Sequence, residues 1–344
     1  MTDFRWLLAP SHTPLLAAPD PALRLFALED TAEFGAHIAA ALGQPLAAHE
    51  EREFEDGEHK ARPLESVAGA DAFVVQSLHS GPRRGANDKL VRLLFFIGAL
   101  KDAGAARVTA VAPYLSYARK DRRTKPFDPV TQRYLAQLFE AVGADAVVTL
   151  DVHNPAAFEN AFRRRTVALT AAPLFVAHAM SQGEGSFCVV SPDPGGVKRA
   201  ELFREALEAA LGKPVGKAFA DKHRSAGVVT GDLLVGEVAG TTALIVDDLI
   251  STGGTLARAA RAARAAGARQ VVALAAHGLF MPGAAEALAD PAIDRLVVTD
   301  TVPAFRLPAG AVRDKLQVLP AARLFAEAIA GLHKDRPLTD LLVD

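Results

Sequence analysis

The chain has almost no cysteine. Cys188 is the only one in 344 residues. That excludes an intrachain disulfide and any metal site built on several thiolates. Charge of one sign is lacking too: 38 Lys and Arg face 40 Asp and Glu, for a formal net charge of −2. So weak a balance gives no electrostatic footprint for nucleic acid. The run Arg163-Arg164-Arg165 is short and reads as a solvated edge. No apolar run approaches the roughly 20 residues of a membrane span. The opening Met1-Thr2-Asp3-Phe4-Arg5-Trp6 has no signal-peptide pattern. A cytoplasmic protein with no membrane and no nucleic-acid partner is expected. The sequence GxxxxGK[ST] is also absent, which excludes a P-loop.

What is present is size and apolar content. Half the residues are hydrophobic, and the length suits two domains, each with its own core. Short apolar, β-branched runs predict strands at 72–76, 107–112, 146–150, 187–191, 243–247, 271–275 and 296–299. Alanine-rich stretches predict helices at 33–42, 88–103, 130–142, 197–211, 255–266 and 321–332. Continuous apolar strands between helices predict parallel sheets covered on both faces. Sites in such sheets gather at the C-terminal ends of strands. A faint repeat pairs AGAARVTAVAPY at 103–114 with AGARQVVALAAH at 266–277. It fits either a generic helix-to-strand junction or two copies of one α/β domain. The domains are expected at 1–165, joined by a C-terminal helix at about 320–335, and at 166–319.

The most informative stretch is Leu244-Ile245-Val246-Asp247-Asp248-Leu249-Ile250-Ser251-Thr252-Gly253-Gly254-Thr255. An apolar strand ends in two acids, and a hydroxyl and glycine loop leads into a helix. Inward-turned N–H groups and the positive end of the helix suit a phosphate dianion. The carboxylates suit vicinal hydroxyls or the water shell of Mg²⁺. A sugar phosphate satisfies both. The competing reading is an ordinary turn before a helix.

Other segments carry chemistry at expected strand ends. Phe54-Glu55-Asp56-Gly57-Glu58 sets acids and an aromatic around a glycine turn. Pro113-Tyr114-Leu115-Ser116-Tyr117-Ala118-Arg119-Lys120-Asp121-Arg122 offers cations and tyrosines for a polyphosphate and a base. Asp151-Val152-His153-Asn154 and Ser191-Pro192-Asp193-Pro194-Gly195-Gly196 follow further strands. His153 is a structural hydrogen-bonder or a metal and phosphate contact. Asp193 is a candidate for Mg²⁺, and its glycines for a second phosphate nest. Lys222-His223-Arg224 reads as a surface loop, either solvated or able to close over a reacting phosphate.

In this order the segments resemble the phosphoribosyl pyrophosphate (PRPP) synthetase family over nearly the whole chain. The resemblance rests on Phe54-x-Asp56-Gly57-Glu58, Val74–Ser77, Asn87-Asp88, the 113–122 segment, Asp151-x-His153, the 191–196 segment, Asp221-Lys222-x-Arg224, Val246-Asp247-Asp248, His277-Gly278 and Val298–Thr301. It implies two tandem type I phosphoribosyltransferase-like domains of the α/β class. It implies a ribose-phosphate diphosphokinase using Mg²⁺, ATP and ribose 5-phosphate, as a homodimer or homohexamer. Asp247, Asp248, Ser251, Thr252, Gly253, Gly254 and Thr255 would hold ribose 5-phosphate. His153 and Asp193 would contact Mg²⁺ bound with ATP. Arg119, with Lys120 and Asp121 beside it, would meet ATP. Lys222 and Arg224 would stabilise the transferring group. Phe54, Asp56 and Glu58 would bind adenine from a neighbouring subunit. The sequence departs from the family pattern at Lys120, where Gln is common, and at Ser251, where Asp is frequent. Ser80–Ala86 is longer than usual in a region linked to regulation. A PRPP-consuming phosphoribosyltransferase would share only the 247–255 site. A catalytically silent synthetase-associated protein would not need Lys222, Arg224, His153 and the acid pair.

Overall fold

The computed structural model describes residues 4–7, 13–183, 185–225 and 228–342; the side chains of 5, 6, 221–233 and 340 lie outside that description. Two compact units result: residues 13–170 with 322–342, and residues 171–321 with Phe4–Leu7. None of the described helices is long and apolar enough to cross a membrane.

The N-terminal unit contains β1 (Leu23–Ala27), α1 (Ala32–Leu42), the hairpin β2 (His49–Glu53) and β3 (His59–Pro63), β4 (Asp71–Val75), α2 (Ala86–Asp102), β5 (Arg107–Ala112), α3 (Thr131–Ala141), β6 (Ala146–Leu150), α4 (Pro155–Ala161) and β7 (Arg165–Leu169). Its five-stranded sheet runs β1-β4-β5-β6-β7, and every pairing is parallel. Helix α2 turns Leu90, Leu93, Leu94, Ile97 and Leu100 into a core with Val108, Ala110, Leu135 and Phe139. That spacing of three and four residues lines one helix face. Full burial of such a side chain contributes about 1.5–3 kcal/mol.

The C-terminal unit contains α5 (Ala172–Ser181), β8 (Phe187–Ser191), α6 (Val197–Leu211), β9 (Gly216–Ser225), β10 (Val228–Gly236), β11 (Thr242–Ile250), α7 (Gly254–Ala265), β12 (Gln270–Gly278), α8 (Ala284–Leu288), β13 (Arg295–Thr299), α9 (Ala311–Asp314) and β14 (Leu316–Leu319). The strand order is β10-β9-β8-β11-β12-β13-β14. Only the β9–β10 pair is antiparallel. The final helix, α10 (Ala322–His333), packs in the N-terminal unit. Phe325 meets Phe34 edge-on at 5.6 Å, and His333 Nδ1 bonds Asp71 Oδ2 at 2.8 Å.

The faint repeat is a structural duplication. Gly104 and Gly267, at φ +87° and +88°, end α2 and α7 in the same left-handed turn. Gly104 and Ala105 donate to Lys101 O and Leu100 O; Gly267 and Ala268 donate to Arg264 O and Ala263 O. This is the closure of helices by a left-handed glycine. The next strand is then latched alike in both units. Val108 N donates to Asp145 Oδ2 at 2.8 Å, and Val271 N to Asp294 Oδ2 at 2.6 Å. Lys101 Nζ pairs with Asp145 at 3.0 Å, and Arg264 with Asp294.

Element ends differ from the sequence expectation by a residue or two, with two exceptions. Strands β11 and β12 run three residues further, through the acid pair to Ile250 and through to Gly278. The 222–224 segment is backbone of β9, paired with β10, and not a loop. Asp221-Lys222-His223-Arg224-Ser225 is wholly polar, a composition that reads as a loop, while its backbone pairs with β10. The latch carries the fold's prediction. Asp145→Ala and Asp294→Ala each leave an amide and a cation without their acceptor. Each should lower stability in chemical denaturation by about 1–2 kcal/mol. An unchanged unfolding curve in both would show that the latch adds nothing.

Candidate functional site

In the C-terminal unit, β11 lies between β8 and β12, so its C-terminal end is flanked by the loops of both neighbours. Asp247 and Asp248 sit there. Their side chains are 20% and 6% exposed. Asp248 N donates to Asp247 Oδ1 at 2.9 Å. Arg199, in the first turn of α6, reaches across from the β8 side. Its Nη1 lies 3.5 Å from Asp247 Oδ1 and 3.6 Å from Asp248 Oδ1. Two adjacent acids and one guanidinium thus meet at the strand end. Burial first, and then the bond and charge of Asp248, push the Asp247 carboxyl up to about 8, with Arg199 pulling the other way. The proton belongs to the pair rather than to one residue.

The loop 251–255 follows directly. Gly253 is buried at φ +76°, and a Cβ there would stand 2.8 Å from Leu288 Cγ. Only glycine fits both the turn and α8 behind it. Gly254 then begins α7, whose first amides have no carbonyl of the helix to donate to. Ser251, Gly254 and Thr255 are half-buried and Thr252 is exposed. Met281 N donates to Ser251 O at 2.9 Å, tying the loop to the chain beyond β12. The glycine loop therefore opens a helix, with the acid pair a few residues before it on the same strand.

Asp193 stands at the start of the turn after β8. Its Oδ1 accepts from Gly195 N at 2.9 Å and Gly196 N at 3.1 Å. The glycine amides expected to form a second phosphate nest are thus occupied by Asp193 itself. Short loops favour this closure because an Asp side chain reaches amides two and three residues on. Sequence reasoning missed Arg199. The one signal was its place just past Gly196, at the head of the helix following the strand beside β11.

The N-terminal unit gathers a different set. Asp151, at φ +38°, is a rare conformation for an L-residue, and such strain gathers at functional positions. It sends its N–H to Leu169 O at 2.8 Å, and His153 follows exposed to solvent. Asn154 caps α4 and donates through Nδ2 to Asp121 Oδ2 at 2.7 Å. That bond fastens the loop after β6 to the 113–122 loop after β5, where Arg119 and Lys120 are exposed. Tyr117 donates through its hydroxyl to Asn87 Oδ1. Phe54, Asp56 and Glu58 form the exposed tip of the β2–β3 hairpin. There Glu58 N donates to Asp56 Oδ1 at 3.1 Å, and the Arg52 guanidinium lies 5.0 Å from the Phe54 ring. Among the described residues, no hydrogen bond or ion pair joins this tip to Arg119 or Lys120. The side chains of Lys222 and Arg224 lie outside the described residues.

Two parallel α/β units, one ending a strand in paired acids and a helix-opening glycine loop, define a phosphoribosyltransferase-like protein. Family models match in that order: the N-terminal domain of ribose phosphate pyrophosphokinase over residues 23–143, the phosphoribosyl transferase domain over 173–279, and the phosphoribosyl synthetase-associated domain over 231–342. A ribose-phosphate pyrophosphokinase of Caldanaerobacter subterraneus subsp. tengcongensis is 40% identical over 321 residues, 93% of this chain and 97% of that protein. One from Clostridium perfringens is 35% identical over 326 residues, 94% and 98% of the two chains. The crystal structure of phosphoribosylpyrophosphate synthetase from Mycobacterium smegmatis superposes with a TM-score of 0.80 at 34% identity, covering 91% of this chain and 99% of that one. The chain belongs to the ribose-phosphate pyrophosphokinase family.

The acid pair makes a pH prediction. An acid raised from 3.8 to about 8 on folding keeps a proton that the unfolded chain has released. It therefore withdraws stability as pH climbs between those values, by up to about 1.4 kcal/mol per unit. Asp247→Asn removes that penalty. The variant's Tm minus the parent's should grow from pH 5 to pH 8 and level off above. A difference independent of pH would contradict the assignment.

Proposed function

We propose that the chain transfers the β,γ-diphosphoryl group of ATP to the C1 hydroxyl of ribose 5-phosphate, giving PRPP and AMP. The observation that carries this is the continuity of β11 into α7. Asp247 and Asp248 stand at the strand end, and the glycine loop opens the helix beyond it. Helix-start amides suit the 5-phosphate. The carboxylates suit the ribose hydroxyls, and ionise fully when hydroxyl donors or a hydrated cation face them. Arg199 orients the pair by bridging both acids.

The substrate hydroxyl attacks the β-phosphorus, the bond to the α,β-bridging oxygen breaks, and AMP leaves with that oxygen. The hydroxyl proton passes to solvent. Positioning and cations suffice for such a step, with no covalent intermediate. Arg119 holds ATP phosphates and one face of the base, with Lys120 and Asp121 beside it. Lys222 and Arg224, on β9, supply charge to the transferring group. His153 and Asp193 are the metal contacts. No three His, Cys, Asp or Glu side chains among the described residues gather around one point. That donor set fits Mg²⁺ carried on ATP phosphates, which takes one or two protein ligands, and not an ion caged by the protein. Bound there, Mg²⁺ would neutralise phosphate charge. Phe54, Asp56 and Glu58 stack on and hydrogen-bond the adenine of a neighbouring subunit's ATP. Their exposure at a hairpin tip supports a homodimer or homohexamer, and the setting is cytoplasmic.

Purified protein should form AMP from ATP only when ribose 5-phosphate and Mg²⁺ are both present. ADP as the product, followed by chromatography, would mean γ-phosphoryl transfer and refute the mechanism. Lys222→Ala and Arg224→Ala should chiefly lower kcat, because charges engaged in the transition state contribute there. The loss should be on the order of 10²–10³-fold, as for a single electrostatic stabiliser. Steady-state kinetics with near-normal kcat in both variants would remove β9 from the chemistry.

A further inference from the structure

The hairpin tip is too exposed to fix its own position, yet the residues on either side of it are anchored. Glu53 and His59 are the register pair that closes the hairpin, so residues 54–58 lie between them. Glu53 Oε2 accepts from Arg92 Nη2 at 2.7 Å and from Arg84 Nη2 at 3.1 Å. The His59 ring stacks on Phe95, with centroids 5.5 Å apart and planes at 15°. Arg92 and Phe95 are three residues apart on α2, which places them on one helix face. Helix α2 therefore grips both sides of the hairpin's closing pair.

The charges agree with this geometry. Bonds and charge from Arg84 and Arg92 hold the Glu53 carboxyl below its ordinary value. Burial, and then the charge of Arg92, hold His59 below its ordinary value, which favours an uncharged ring against Phe95. Arg84 Nη1 is held in turn by Glu29 Oε2 at 3.0 Å and Asp30 Oδ2 at 2.9 Å. Glu29 N donates to Glu51 Oε1 on β2 at 2.6 Å. The hairpin is thus tied to the loop after β1, to the loop before α2 and to α2 itself. That second loop joins β4 to α2, as the glycine loop joins β11 to α7 in the duplicated unit. In the N-terminal copy its arginines are taken up by the chain's own carboxylates.

We propose that Arg84, Arg92 and Phe95 are positioning residues for nucleotide recognition, acting through Glu53 and His59 to set where Phe54 and Asp56 stand. This rests on the tip being the base-binding element. The test compares Glu53→Gln, Arg92→Gln, their double variant and Phe54→Ala, measuring KM separately for ATP and for ribose 5-phosphate. Glu53 is half exposed, so Glu53→Gln keeps the fold even if loss of the buried Arg92 does not. Each of the first two should raise KM for ATP by about tenfold, the equivalent of one charged hydrogen bond. KM for ribose 5-phosphate should stay within about twofold. Because the two residues act through one bond, the double variant should be no worse than the poorer single. Arg92→Lys should recover part of the loss. Equal rises in KM for both substrates would mark a purely structural role and overturn the proposal. So would a normal KM for ATP in Glu53→Gln while Phe54→Ala raises it. A normal KM for ATP in Phe54→Ala would instead sink the base-site reading, and the proposal with it.

Discussion

The fold depends on a carboxylate that latches each parallel sheet from its N-terminal edge. Asp145 and Asp294 each accept the amide of the neighbouring strand and pair with a cation from the end of the helix before it. Parallel strands are not joined by tight hairpins, so register must be set by something other than a turn. A one-residue slip would exchange the two faces and misplace every buried side chain. Fixing β5 against β6, and β12 against β13, also fixes where the opposite strand ends fall. Those C-terminal ends carry all the proposed chemistry except the hairpin tip and the β9 cations.

One architecture, used twice, then serves two chemistries by changing its loops. After β11 the chain spends small residues: Gly253 stands where a Cβ would strike Leu288, and the first amides of α7 have no carbonyl of the helix to donate to. After β4 it spends arginines, and these are consumed by Glu29, Asp30 and Glu53. An amide-lined loop at a helix start suits an anion from outside. An arginine loop paired with internal carboxylates is a structural tie. The difference is one of charge balance and not of backbone plan. It explains why the two halves share junctions nearly bond for bond but share no binding residues.

Much of this was legible in the sequence. Strands β5, β6 and β8 matched residue for residue, because each is a β-branched, apolar run buried on both faces and bounded by polar residues. The 251–255 loop was legible because glycine, hydroxyl and helix former each have a local reason to stand there. The rest depends on distant partners. Arg199 meets Asp247 and Asp248 only because α6 follows the strand beside β11, and strand order is not written in local composition. Glycines 195 and 196 resembled a nest, yet Asp193, two residues earlier, fills it. The cations at 222 and 224 looked like loop residues because 221–225 is polar throughout, and only the backbone pairing with β10 makes it a strand. Strands β2 and β3 escaped notice for the same reason: His49–Glu53 reads HEERE, with no apolar alternation at all.

The acid pair shows how such a site holds its readiness. Two carboxylates on successive residues, mostly buried, are unfavourable to each other, and Arg199 pulls the other way. The pair lowers its energy by keeping a proton at pH values where lone carboxylates have lost theirs. Hydroxyl donors or a hydrated cation would replace that proton and remove the repulsion at the same time. The repulsion between the two acids would thus become part of the drive to bind. A neutral or apolar pair at the end of β11 would make a more stable protein and a weaker site, which is the exchange that functional positions generally make. The backbone can bear the cost because the latches at Asp145 and Asp294 lie at the other end of the sheets and are indifferent to what the strand tips carry.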